Sequence, residues 1–205
     1  MSTGGHSLKQ EFRQRLLGEV RARGHSISNL WCVHSVKLNQ DLVLPSDLAL
    51  IYWLVYLEIN FEVVTFGLPE GSDNFDFTVK KQSGASFEVA FSDRDEAVHN
   101  EENHTTYVPC KQILAQGPLA IKAMKALAFA AAIRGFDYAA ASNVVRTIEV
   151  SLEAGDIQAV LKHAPLIAPP IICGVLVRHF IAGLIDIDLV SKASFGLYTP
   201  WRCRS

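Results

Sequence analysis

The spacing of apolar positions changes period twice along this chain. Over residues 8–23, Phe12, Leu16, Leu17 and Val20 fall on one face of a 3.6-residue repeat, which predicts a helix, and Gly24 supplies its stop. Residues 1–7 read as a disordered tail, and residues 25–44 carry no clear period. Pro45, Ser46 and Asp47 form a helix start, with Ser46 as cap and Asp47 in the first turn. The following stretch, 48–59, is apolar on all sides. Such a segment is a helix buried between neighbours or, given its aromatic and β-branched content, a buried strand.

The period then becomes two. Phe75, Phe77 and Val79 alternate with Asp76, Thr78 and Lys80; after Gln82-Ser83-Gly84-Ala85, Phe87, Val89 and Phe91 alternate with Ser86, Glu88 and Ala90. Alternation on both sides of a glycine-containing turn predicts a hairpin with one Phe/Val face, in which Lys80 pairs with Glu88. Residues 62–66 form a third strand, and 92–106 a polar, acidic connector. Beyond Pro109 the helical period returns. Gly117-Pro118 opens a helix that Gly135 closes. Asp137 caps a second, running to about residue 153 with Gly155 as its stop; Asp156 caps a short third, ended by Pro165; and Pro169-Pro170 opens a fourth, to about residue 184.

The expected fold is therefore α+β and mostly helical. A single domain spans 8–205, with a helical part (8–59) and a small antiparallel sheet (about 61–91, within 60–92). An acidic connector (93–108), a bundle of about four helices (109–192) and a C-terminal tail (193–205) follow. Helices around a small sheet with loose ends resemble, in plan, the coat and nucleocapsid proteins of rod-shaped and filamentous viruses.

Composition adds a reason to expect association. Apolar residues make up 49% and charged residues only 20%, which favours burying some surface against another subunit. Residues 58–102 hold eleven carboxylates against three bases, whereas the flanking segments are net positive. Opposed charge on separate surfaces favours head-to-tail contact. The uncharged run 164–177 is broken by Pro165, Pro169 and Pro170 and is too short to span a bilayer. The N-terminus lacks the apolar core of a signal peptide. Cys32, Cys110, Cys173 and Cys203 are far apart with no CxxC pair, so reduced thiols in a cytoplasmic setting are expected.

Candidate chemistry is sparse. The acidic segment 93–104 holds His99, Glu102 and His104, residue types that suit a transition metal, but His99 and His104 are five apart rather than four and do not share a helical face. Asp76 and Glu88 on adjoining strands resemble the paired acids of metal-dependent nucleases, whose strands read Asp, then Glu-x-Lys; here Glu88-Val89-Ala90 lacks the lysine. Cys32 and His34 lie close in sequence, and no GxSxG elbow or phosphate loop is present. Arg13, Arg15, Arg21, Arg23, Lys122, Lys125, Arg134 and Arg146 would neutralise phosphates if the fold gathered them on one face. The Ala-rich stretch 120–142 suits either a central core helix or a tightly packed subunit interface.

These readings lean away from an enzyme and imply no cofactor. They point to a self-assembling structural protein, coat- or nucleocapsid-like, with copies of itself as partners and nucleic acid as a further one. The alternatives are a metal-dependent hydrolase using 93–104 and an adaptor presenting an acidic surface to a basic partner.

Overall fold

The computed structural model describes residues 29–69, 75–191 and 195–204. The expected helix 8–23, with Arg13, Arg15, Arg21 and Arg23, and the expected tail 1–7 lie outside them.

The unassigned stretch before Pro45 is a hairpin of β1 (Trp31–Ser35) and β2 (Gln40–Leu44). Asn39 takes a left-handed φ of 51° in its turn, where asparagine is among the tolerated residues. Ser46 then caps α1 (Asp47–Tyr52), its hydroxyl accepting from the Ala49 amide at 3.1 Å. Helix α1 runs directly into a π-helical segment, Trp53–Glu58, in which Ile59 N reaches back to Leu54 O. Tyr52, Trp53, Leu54 and Leu57 are all buried, so the all-round apolar stretch resolves as a helix packed on several sides.

The main sheet has five strands in the order β3-β4-β5-β7-β6. These are β3 (Val63–Gly67), β4 (Phe77–Lys81), β5 (Ser86–Ser92), β6 (Val98–Asn100) and β7 (Thr105–Pro109). The β4–β5 hairpin forms as expected, with Gly84 at φ 86° in its turn. Its register places Glu88 opposite Thr78 and Lys80 opposite Ser86, so the expected Lys80–Glu88 pair is replaced by these neighbours. Tyr52 stacks on Phe77 and tilts against Phe91, closing the apolar face of the sheet under α1. The completely buried Phe77 alone contributes roughly 1.5–3 kcal/mol of burial.

The C-terminal half holds α2 (Cys110–Leu114), α3 (Gly117–Ala132), α4 (Ala139–Leu152), α5 (Ile157–His163) and α6 (Pro169–Ile181). Prolines open α3 and α6, where a missing N–H costs nothing. The Asp156 carboxylate caps α5 at 2.8 Å. Asp137 accepts from the Ala139 amide at 3.1 Å at the start of α4. Between these helices run β8 (Ala154–Asp156), β9 (Ile185–Ile187) and β10 (Pro200–Cys203), in the antiparallel order β8-β10-β9. Glu153, at φ 60°, ends α4, and Gly155 lies in β8 rather than acting as the stop. The expected tail is thus the central strand of a sheet, with Trp201 buried and its indole donating to Asp156 O at 3.0 Å.

The expectation of a mostly helical protein with one small antiparallel sheet is therefore corrected. Helix occupies 40% and strand 27% of the described residues, and the larger sheet is mixed, because β7 runs parallel to β5. The acidic connector supplied two of its strands. The Ala-rich helix is central: Ala120, Ala123, Ala126 and Ala130 are buried, and α3 packs on α6 at Gly174. No helix among the described residues is long and apolar enough to cross a membrane.

Candidate functional site

Three places bring chemistry-bearing residues together. The first is the polar face of the main sheet. One step beyond the Phe77–Val89 pair, Asp76 stands beside Ala90, the position where a nuclease-like strand carries lysine. The Asp76 carboxylate accepts from the Phe91 amide at 2.7 Å, and burial raises its pKa above the usual aspartate value. Glu88 is turned to β7, where the Thr105 hydroxyl donates to it at 3.2 Å. Burial raises the Cys110 thiol, with the nearby charges of Asp93 and Asp76 adding to the effect.

Among the described residues, no group of three or more His, Cys, Asp or Glu side chains is placed to hold a metal. In segment 93–104, His99 sits on exposed β6 with Nδ1 3.0 Å from the Thr106 hydroxyl. His104 occupies a left-handed turn position at φ 52°, and Glu102 stands exposed in the same turn. The three are not gathered around a common point.

The second place is the C-terminal module. The chain order α4-β8-α5-α6-β9-β10 is that of a helix-turn-helix pair flanked by a β-hairpin. In such modules the second helix enters the DNA major groove and its N-terminal residues meet base edges. Here that helix is α6, and it is closed in on most sides. Residues Ile172 to Val177 are all buried, and a Cβ at Gly174 would lie 2.7 Å from Phe129 O of α3. Arg178 donates to Ala130 O at 2.8 Å and to the Tyr138 hydroxyl at 3.0 Å. The exposed first turn offers Pro169 and Pro170, followed by Ile171.

Among the described residues, three of the candidate cations have separate partners. Lys122 donates to Val190 O at 2.7 Å, Arg134 lies 3.6 Å from Asp41, and Arg146 donates to Glu149 at 3.1 Å. Lys125 stands exposed on α3.

The third place was not legible in the sequence. His179 of α6 holds Nδ1 2.7 Å from Glu149 and Nε2 2.8 Å from the Ser142 hydroxyl, both partners lying on α4. The signal was faint: Ser142 and Glu149 are seven apart, two turns on one helical face, but nothing local names the histidine that meets them.

A buried carboxylate ties the turn between β1 and β2 to the π-helical segment. Glu58 accepts from the Ser35 hydroxyl at 2.7 Å and from the Val36 and Lys37 amides at 2.7 and 3.0 Å. The Lys37 ammonium donates to Leu57 O and Asn60 O at 2.6 and 2.7 Å. Burial pulls the Lys37 pKa down from 10.5 to about 8, against the opposing attraction of Glu58. Between those two values the unfolded chain holds a proton that the folded chain has released, so stability rises with pH across that window. Urea melts at pH 8 and 10 should show this rise, and Lys37→Met should flatten it; equal slopes in both proteins would refute the assignment.

Compared with known protein families, curated proteins and solved structures, the chain matches none of them.

Proposed function

We propose that this chain is a structural subunit of a nucleic-acid-handling assembly, joined to further copies of itself through the apolar surface of its C-terminal module. Two features parallel nucleic-acid proteins in plan: the acid positions Asp76 and Glu88 on adjoining strands of a mixed sheet, and the chain order α4-β8-α5-α6-β9-β10 of a helix pair with flanking strands. This likeness is one of fold plan. In each, the reactive or reading side chains are replaced, Ala90 standing where lysine would act and Pro169-Pro170-Ile171 where polar groups would meet bases.

The observation that carries the reading is what the module exposes instead. Leu166, in the α5–α6 turn, is 98% exposed, and Val190, Leu197 and Tyr198 stand out beside β9 and β10. At Val190 a groove of about 670 Å³ opens, walled by Ile187, Leu189, Trp201 and Phe180 and reaching Ile59 and Leu119. Exposed apolar surface of this kind marks an interaction site.

Size-exclusion chromatography with light scattering, read at 260 and 280 nm with and without nuclease, tests this. The expected result is a species larger than a monomer that Leu166→Asp with Tyr198→Asp reduces to monomer while the far-UV circular dichroism stays unchanged. A monomer at high concentration and low salt, without excess 260 nm absorbance, would overturn it.

A further inference from the structure

The Ser142–His179–Glu149 cluster belongs neither to the sheet face nor to the apolar surface, and it stands or falls independently of the proposed assembly. Its order runs from inside to outside. Glu149 is completely buried and His179 is 6% exposed, whereas Ser142 is half-buried between half-buried Ala141 and exposed Asn143. The Glu149 carboxylate accepts a hydrogen bond from Nδ1–H of His179, with Arg146 holding its other oxygen at 3.1 Å. That bond leaves Nε2 as the acceptor facing the Ser142 hydroxyl at 2.8 Å. A nucleophile in hydrogen-bond reach of a base, itself oriented by a buried carboxylate, is the arrangement that activates serine.

Ala139, three residues earlier on the same helical face, is small and exposed, which suits a short acyl group presented from solvent.

We propose that Ser142 is an activated nucleophile that accepts short acyl groups from esters, with His179 as general base and Glu149 as its positioning residue. As the Ser142 oxygen bonds to the ester carbonyl carbon, its proton passes to Nε2 of His179, and Glu149 pairs with the imidazolium. The carbon–alkoxy bond then breaks, and His179 returns the proton to the departing alcohol. Water attacks the acyl-serine by the same route, giving the free acid and restoring Ser142.

The test treats the purified full chain with a fluorophosphonate, which bonds to an activated serine with loss of fluoride, and maps the adduct by peptide mass spectrometry. The expected result is an adduct at Ser142 that forms at least tenfold faster in folded than in urea-unfolded protein. Ser142→Ala should remove it, and hydrolysis of p-nitrophenyl acetate should fall with it. Glu149→Gln, where folded, should slow labelling at least tenfold, because the amide cannot pair with the imidazolium. Labelling at Ser142 no faster than in the unfolded chain would overturn the proposal, and so would an unchanged rate in folded Glu149→Gln. If Glu149→Gln does not fold, the wild-type rate ratio decides alone.

Discussion

Glu58→Ala is expected to remove about 3–5 kcal/mol of stability, the cost of stripping three desolvated donors of their acceptor. The Glu58 carboxylate is completely buried and closes the turn between β1 and β2 by accepting from Ser35, Val36 and Lys37. Alanine would leave two amides and a hydroxyl without their acceptor, each at about 1–3 kcal/mol when desolvated. The half-buried Lys37 ammonium would also lose its counter-charge. Glu58→Gln should cost far less, since one amide oxygen still accepts from the backbone and Ser35 can reorient its hydroxyl. Burial raises the Glu58 pKa, outweighing the hydrogen bonds and the Lys37 charge that lower it. Its protonated form is therefore favoured by folding, and that contribution is lost as pH rises from the ordinary glutamate value through the raised one. Urea unfolding of the three proteins at pH 7 checks the order. An alanine variant within 1 kcal/mol of wild type would show that the turn holds without the carboxylate.

Gly174→Val is the second large effect, at roughly 3 kcal/mol, the upper end of overpacking. An added Cβ at Gly174 would meet Phe129 O at 2.7 Å and the Ile133 side chain at 2.8 Å. The first obstacle is backbone, so α3 and α6 must move apart along the alanine face. Gly174→Ala tests the same contact more gently, because its helix propensity, about 1 kcal/mol better than glycine, offsets part of the clash. A thermal melt of both variants separates the terms. If valine were tolerated, α6 would not be clamped against α3, and the view that it is closed off from a DNA groove would lose its main support.

Much of the local structure was legible along the chain. The Ser46 cap, the β4–β5 hairpin with its Gly84 turn, and the proline-opened α3 and α6 all follow from signals within a few residues. The short strands were not. β6, β8 and β9 have three residues each, too few to show a period, and β7 is recognisable only by its parallel pairing with β5. The candidate sites divided in the same way. The missing lysine at Ala90 could be read from the sequence, whereas the pairing of His179 with Glu149 and Ser142 could not.

By itself, the sequence determined which segments become the longer helices and which the alternating strands, because caps, prolines and side-chain period act over a few residues at a time. Tertiary structure alone decided that the alanine face of α3 is consumed inside the chain against Gly174. It also decided that the last residues become a central strand, and that Glu58, His179 and Glu149 find partners more than twenty residues away. Those outcomes depend on how buried polar groups find partners and how helices approach one another in space, and no local pattern carries that information.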